Sequence, residues 1–252
     1  MCVSVLAITD HDTTAGLAAA ASIAELALPL QLVDGVEIST LWQNHEIHIV
    51  GLGIDAASPT MVQLLAEHSE RRTLQAQEIG LRLAKARIQD GYAGLQRLAA
   101  SGAVTRGYFT RYLVQIGVAD NMAQVFKKYL AKSKTGYVAP QWCSIEQAID
   151  VIHQSGWQAV MAHPGRYDLT ANWLKRLLAH FAEHGSDAME VAQCQQAPHE
   201  RSQLAKYAQE YRLCPSQGSD FHQPCAWVEL GLKVWLLSGV EPVWHDWSNS
   251  MI

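Results

Sequence analysis

The 252-residue chain is short of several features, and each shortage removes a class of explanation. No apolar run approaches the ~18 residues needed to cross a bilayer. Met1 is followed by neither a basic segment nor a signal-type hydrophobic stretch, so a cytoplasmic protein without a membrane partner is expected. The five cysteines (Cys2, Cys143, Cys194, Cys214 and Cys225) include no C-x-x-C pair. An odd, unpaired set suggests neither a disulfide framework nor a thiolate zinc knuckle, and reads as reduced packing residues. G-x-S-x-G, G-x-x-x-x-G-K-[ST] and H-E-x-x-H are all missing, which removes the nucleophile elbow, the P-loop and the helical zinc-protease motif. Lys134-Thr135-Gly136 imitates one box of the penicillin-recognising enzymes, but no S-x-x-K accompanies it. Internal repeats and low-complexity linkers are also absent.

What remains is an ordinary globular composition, 49% apolar and 17% charged, long enough to bury a full core as one α/β domain or a domain with an insertion. Charge is unevenly spread. Residues 71–138 hold 12 of the 19 Lys and Arg but three acidic residues (Glu78, Asp90, Asp120), a net of +9 against −14 for the rest. A basic block in an acidic host suggests that the block handles a polyanion while the host holds cations.

Six segments read as strands: 3–8, 31–38, 46–52, 157–162, 187–192 and 213–217. Helical patterns fall at 13–28, 171–184 and 198–211. Ser144 and Gln147 form a capping box for another helix that runs to about Gln154, with Gly156 as its stop. This alternation predicts a parallel sheet. Between the third and fourth strands, Ser58-Pro59 opens a helix over 60–88, and shorter helices are predicted at 93–100, 106–116 and 120–132. The expected organisation is a metal-binding barrel from 1–57 and 139–252, with a basic helical insertion, a substrate cap, over 58–138.

The chemistry-bearing residues gather at strand ends. They are Thr9-Asp10-His11-Asp12 after the first strand, Glu37 in the second, His48 in the third, His163 after the fourth, Glu190 in the fifth and Asp220 with His222 after the sixth. A lone histidine at such a position is more often structural. Convergence of several on one face is how polynuclear hydrolytic centres are built, because carboxylates bridge ions and imidazoles fill the remaining positions. His180 and His184 have i, i+4 spacing compatible with a metal but read as the solvated face of their helix.

Thr-Asp-His-Asp (9–12), Gly-Val-Glu-Ile-Ser (35–39), His-Ile-Val-Gly (48–51), Ala-His-Pro-Gly-Arg (162–166) and Gly-Ser-Asp-Phe-His (218–222) together resemble the PHP (polymerase and histidinol phosphatase) superfamily. The match spans nearly the whole chain. Ala-Val-Thr-Arg-Gly (103–107), Lys-Thr-Gly-Tyr-Val (134–138), Pro-Gln-Trp-Cys (140–143) and Glu-Val-Ala-Gln (190–193) are similar to its ribonuclease AM branch. That branch includes 5′→3′ exoribonucleases and 3′,5′-nucleoside bisphosphate phosphatases.

The resemblance implies a distorted (β/α)7 TIM-like barrel that binds up to three divalent ions, often manganese. On it, Glu37, His48 and His163 match the ligands of one ion. Glu37 bridges to a second that Asp220 also binds, and His11 and His222 match ligands of the third. Arg106, Arg166 and Lys134 are the candidates for gripping substrate phosphate, with Arg106, His11 and His222 as catalytic residues; either histidine can supply the acid for the leaving oxygen. Relatives usually begin with a strand carrying Asp-Leu-His-x-His, then Ser-Asp-Gly. Neither occurs here, so a barrel without its first strand and with one complete ion site is expected. Relatives also often carry His where Tyr108 stands. The expected activity is metal-dependent hydrolysis of phosphate esters of a nucleotide or an RNA 5′ end. The alternative is a truncated, catalytically impaired phosphate- or RNA-binding protein. Oligomeric state is left open, a monomer included.

Overall fold

The computed structural model describes residues 3–27, 30–88, 106–222, 241–245 and 247. In chain order the elements are β1 (Val5–Ile8), α1 (Leu17–Ala27), β2 (Gln31–Trp42), β3 (His45–Leu52), α2 (Pro59–Lys85), α3 (Arg106–Gln115) and α4 (Met122–Val125). After a π-helical turn (Phe126–Leu130) follow β4 (Cys143–Ser144), α5 (Ile145–Ser155), β5 (Gln158–Met161), a 3-10 turn (Pro164–Arg166), α6 (Ala171–Glu183), β6 (Ala188–Gln193), α7 (Pro198–Glu210) and β7 (Cys214–Gly218). Two compact units emerge, one from 1–63 with 143–252 and the other from 64–142. The helix expected at 93–100 lies outside the described residues.

The first unit is built on a sheet ordered β1-β2-β3-β5-β6-β7, with β4 paired to β2. All six expected strands are present. The uniformly parallel sheet is not: β2 pairs antiparallel with β3, and β3 antiparallel with β5. The cause is local. Only Gln43 and Asn44 separate Trp42 from His45, and both adopt positive φ, 49° and 64°. That is the left-handed pair a tight hairpin requires, and it leaves no room for a crossover helix. With β3 reversed and β4 a two-residue strand, the described residues form a mixed α/β sheet in which seven regular β/α units are not established.

Strand β2 is buried on both faces from Gly35 to Thr40, so its polar Glu37, Ser39 and Thr40 need internal partners. Val36, Ile38, Ile47 and Ile49 of the β2–β3 hairpin are completely buried. Helix α5 covers the sheet with Ile145, Ala148, Ile149, Ile152 and Ser155, a 3.6-residue stripe, and Ser144 caps it by accepting from the Gln147 amide at 3.3 Å. A second cluster joins Val50, Leu52, Val160, Ala162, Ala188 and Val243.

The second unit has its own core of Ala76, Ile79, Leu83, Ile88, Phe109, Leu113, Val125 and Leu130. Asn121 caps its short α4 by accepting from the Gln124 amide. No helix among the described residues is long and apolar enough to cross a membrane.

Candidate metal centre

Four chain segments converge on Glu37. After β1 the backbone runs on beside β2 through an isolated parallel bridge between His11 and Glu37. The Glu37 amide donates to the Asp10 carbonyl (3.1 Å), and the Asp12 amide donates to the Glu37 carbonyl (2.9 Å). Buried Asp12 accepts from the Ser39 amide at 2.8 Å, which locks the turn that carries His11. In the hairpin His48 lies opposite Ser39, and Val50 lies opposite Glu37. Glu37 and His48 are therefore diagonal neighbours on one face, a placement that long side chains can bridge. His163 follows β5 directly, where the Ala162 amide donates to the His48 carbonyl.

The donor atoms meet closely. His48 Nδ1 is 2.9 Å and His163 Nε2 3.0 Å from Glu37 Oε1, with 3.2 Å between the two nitrogens. His11 Nδ1 lies 3.9 Å from Glu37 Oε2. Two groups of potential ligands overlap at Glu37: His11, Glu37 and His48, and Glu37, His163 and Asp220. Burial alone would raise the Glu37 pKa, but hydrogen bonds from His163 and His48 and the nearby charges of His11 and His48 hold it far below the usual carboxylate range. Burial pulls His163 down, and its hydrogen bond and charge interaction with Glu37, followed by Glu190 and Asp220, outweigh this and raise it above its ordinary value.

This donor set fits divalent cations. Ligand atoms held ~2.0–2.2 Å from one ion stand roughly 3 Å from each other, the spacing found here. Two imidazole nitrogens also face a single carboxylate oxygen, an arrangement that a shared positive charge satisfies better than mobile protons can. The buried Nδ1 of His163 has no hydrogen-bond partner among the described residues.

Backbone strain collects at the same place. Asp12, His163 and Asp220 adopt positive φ of 51°, 32° and 51°, conformations that non-glycine residues keep only where the surroundings enforce them. For His163 the enforcement comes from two neighbours. Its amide donates to Glu190 Oε2 at 2.7 Å, and the following Pro164 disfavours the right-handed helical alternative.

Of the other candidates, Arg166 pairs through its guanidinium with Asp220. His222 is exposed, with its ring 5.7 Å from that of His11 and Nδ1 3.0 Å from the Asp220 carbonyl. It belongs to neither ligand group. Lys134 is exposed in the second unit. Arg106 is the first residue of α3, and its side chain lies outside the described part of the structure.

Glu190, already noted as a strand carboxylate, and Tyr167, which was not, shape the centre. Glu190, raised above the usual carboxylate range chiefly by burial, accepts from the His163 amide and from Gln193 Nε2. Tyr167 is pushed well above its ordinary pKa by burial; its hydroxyl donates to the Ala162 carbonyl (2.9 Å) and accepts from the His48 amide (3.0 Å). Glu190 was visible as a carboxylate inside a strand. Tyr167 had no signal beyond its place after Arg166, because its value lies in reaching two other strands.

His11, His48, His163, Arg166, Tyr167, Asp220 and His222 line an open pocket of about 360 Å³. A larger cavity of about 1070 Å³ adjoins it between β1 and β7, sharing His11, His163, Asp220 and His222 with it and also lined by Glu37 and Glu190. Strand-end imidazoles and carboxylates gathered around Glu37, which two candidate ligand groups share, define the class, a metal-dependent hydrolase centre on a mixed α/β sheet.

No protein-family model matches the chain. It is 64% identical over 250 residues to the 5′-3′ exoribonuclease Rnm of Escherichia coli (strain K12), covering 99% of this chain and 85% of that protein. It is 40% identical over 223 residues to the 3′,5′-nucleoside bisphosphate phosphatase of Chromobacterium violaceum, covering 88% of this chain and 78% of that protein. Among solved structures, an amidohydrolase from Chromobacterium violaceum with bound sulfate and no metal superposes with a TM-score of 0.88 at 37% identity, over 98% of this chain and 86% of that one. The chain belongs to the Rnm 5′-3′ exoribonuclease family of the PHP superfamily.

Proposed function

We propose that the protein is a metal-dependent phosphoesterase acting on nucleotides or RNA 5′ ends, as a 5′→3′ exoribonuclease, a 3′,5′-nucleoside bisphosphate phosphatase, or both. The observation that carries this reading is Glu37, one carboxylate shared by two ligand groups and flanked by His48 and His163. Glu37, His48 and His163 would hold one ion, Glu37 and Asp220 would share a second, and His11 with His222 would serve a third. Imidazole and carboxylate donors suit manganese, and such ions supply Lewis-acid polarisation of phosphoryl oxygen and acidification of water.

The chain's own groups do the rest. Arg166, paired with Asp220, keeps guanidinium N–H groups for a phosphate, and its planar fork suits bidentate contact. Where His222, the most exposed of the cluster, is not spent on the third ion, its ring can instead hand a proton to the leaving oxygen. Tyr167 and Glu190 fix the backbones of His48 and His163. Arg106 and Lys134 are proposed as further phosphate contacts, supported by the one-signed charge of residues 71–138.

The test is hydrolysis of 3′,5′-bisphosphonucleotides and short 5′-phosphorylated RNA by the full gene product with added Mn²⁺. Release of inorganic phosphate or of mononucleotides from the 5′ end is expected. RNA binding without turnover under any divalent ion would instead identify a binding protein.

A further inference from the structure

A second cluster of ligand-type side chains stands away from Glu37. Glu146 lies in the first turn of α5, and His180 and His184 lie in the last turn and at the C-cap of α6. His180 Nε2 is 2.8 Å and His184 Nε2 3.8 Å from the same oxygen, Glu146 Oε1. One ligand atom from each of the three residues falls within 4.8 Å of the others. The buried Trp42 ring lies 6.1 Å from that of His180. Trp42 is five residues beyond Glu37 on β2, roughly 17 Å at the rise of a strand, so this is a separate place on the same unit.

The protonation pattern carries the argument. His184 Nδ1 sits 2.7 Å from the His180 carbonyl. A carbonyl only accepts, so Nδ1 bears the proton, and in the neutral ring Nε2 presents a lone pair toward Glu146. Two acceptors facing each other at 3.8 Å leave a place for a cation. A ring N–H anchored on a backbone carbonyl is also how metal-bound histidines are commonly oriented. Glu146 is kept ionised: slight burial pushes its pKa up, but a hydrogen bond from Ser144, its own amide and the two histidines bring the carboxyl below its ordinary value.

We propose that Glu146, His180 and His184 form a surface site for a transition-metal ion of the zinc class, which clips the start of α5 to the end of α6. Two imidazoles and one carboxylate suit Zn²⁺, Co²⁺ or Ni²⁺, with water completing a tetrahedron. The site joins segments 34 residues apart in sequence, so its occupancy stabilises the fold.

Equilibrium dialysis of the full chain against Zn²⁺ tests this, comparing wild type with His184→Asn and Glu146→Gln. Each variant is expected to bind one equivalent less and to lose part of the Zn²⁺-induced rise in melting temperature. Each should keep its Mn²⁺-supported turnover, and each zinc-induced shift is read against that variant's own metal-free melting temperature. Co²⁺ should give tetrahedral visible absorption that is reduced in both variants. Unchanged zinc stoichiometry and an unchanged zinc-induced melting shift in both variants would overturn the proposal.

Discussion

Glu37 is a carboxylate inside a strand buried on both faces, and its three imidazole neighbours hold it in the charged form. Replacing it should therefore affect chemistry before fold. Glu37→Gln keeps the volume and removes the charge that the two candidate ligand groups share; a loss of activity of about 100-fold or more is expected in a steady-state assay with Mn²⁺, with little change in RNA affinity. The histidines add a pH signature to the chelated protein. His163 titrates above 6.5 when folded, so its stabilising contribution is complete below 6.5 and is lost as pH rises through the raised value. Glu37 titrates below 4.5, so its contribution is complete above 4.5 and declines as pH falls toward the lowered value. Thermal melts in chelator should show a stability maximum between about 4.5 and 6.5, and Glu37→Gln should flatten its alkaline side. Glu37, His48, His163, Asp220 and His11 were all legible in the sequence as strand-end ligand types. Glu190 was legible too, as a strand carboxylate, but its contact with the His163 amide and the support from Tyr167 were not, because hydrogen bonds across strands leave no spacing pattern.

Among the elements, β7 and the β2–β3 hairpin make the sharpest demands on sequence. A Cβ at Gly218 would lie 1.9 Å from Glu190 Oε1, so any larger residue there requires the Glu190 carboxylate to move. Gly218→Ala should displace Glu190, release the His163 amide and lower kcat by roughly 10-fold. Restoration of activity by shortening the carboxylate in the Gly218→Ala, Glu190→Asp double variant would locate the effect in that contact. At the hairpin, Asn44 has φ 64°, and a β-branched residue tolerates that conformation poorly. Asn44→Val is expected to cost about 1–2 kcal/mol in urea unfolding. The helices and strands themselves were readable from period and caps, Ser144 and Pro59 above all. The reversal of β3 was not read, although it follows from a two-residue link too short for any crossover.

Across the whole molecule, charge is segregated along the chain. Part of the basic stretch is already engaged: Arg71 pairs with Glu67, Arg82 pairs with Glu78 and binds the Tyr137 carbonyl, and Arg72 covers Trp142. Lys127 and Lys128 are exposed. If they meet the polyanion, log affinity for single-stranded RNA should fall linearly with log salt, and Lys127→Gln with Lys128→Gln should each reduce the slope by about 0.7. Fluorescence-polarisation titrations between low and moderate salt would measure it. Turnover at saturating substrate should be unaffected.

Local chemistry was written in the sequence: which segments are strands and helices, which residues are ligand types, and where positive charge accumulates. Hydrophobic period, caps and residue identity act over a few positions, so one chain suffices to read them. Only the tertiary structure decided that β3 runs antiparallel, that His48 and His163 point at one oxygen of Glu37, and that Glu146 meets His180 and His184. Those facts depend on distances between residues tens of positions apart, which strand pairing and helix packing set.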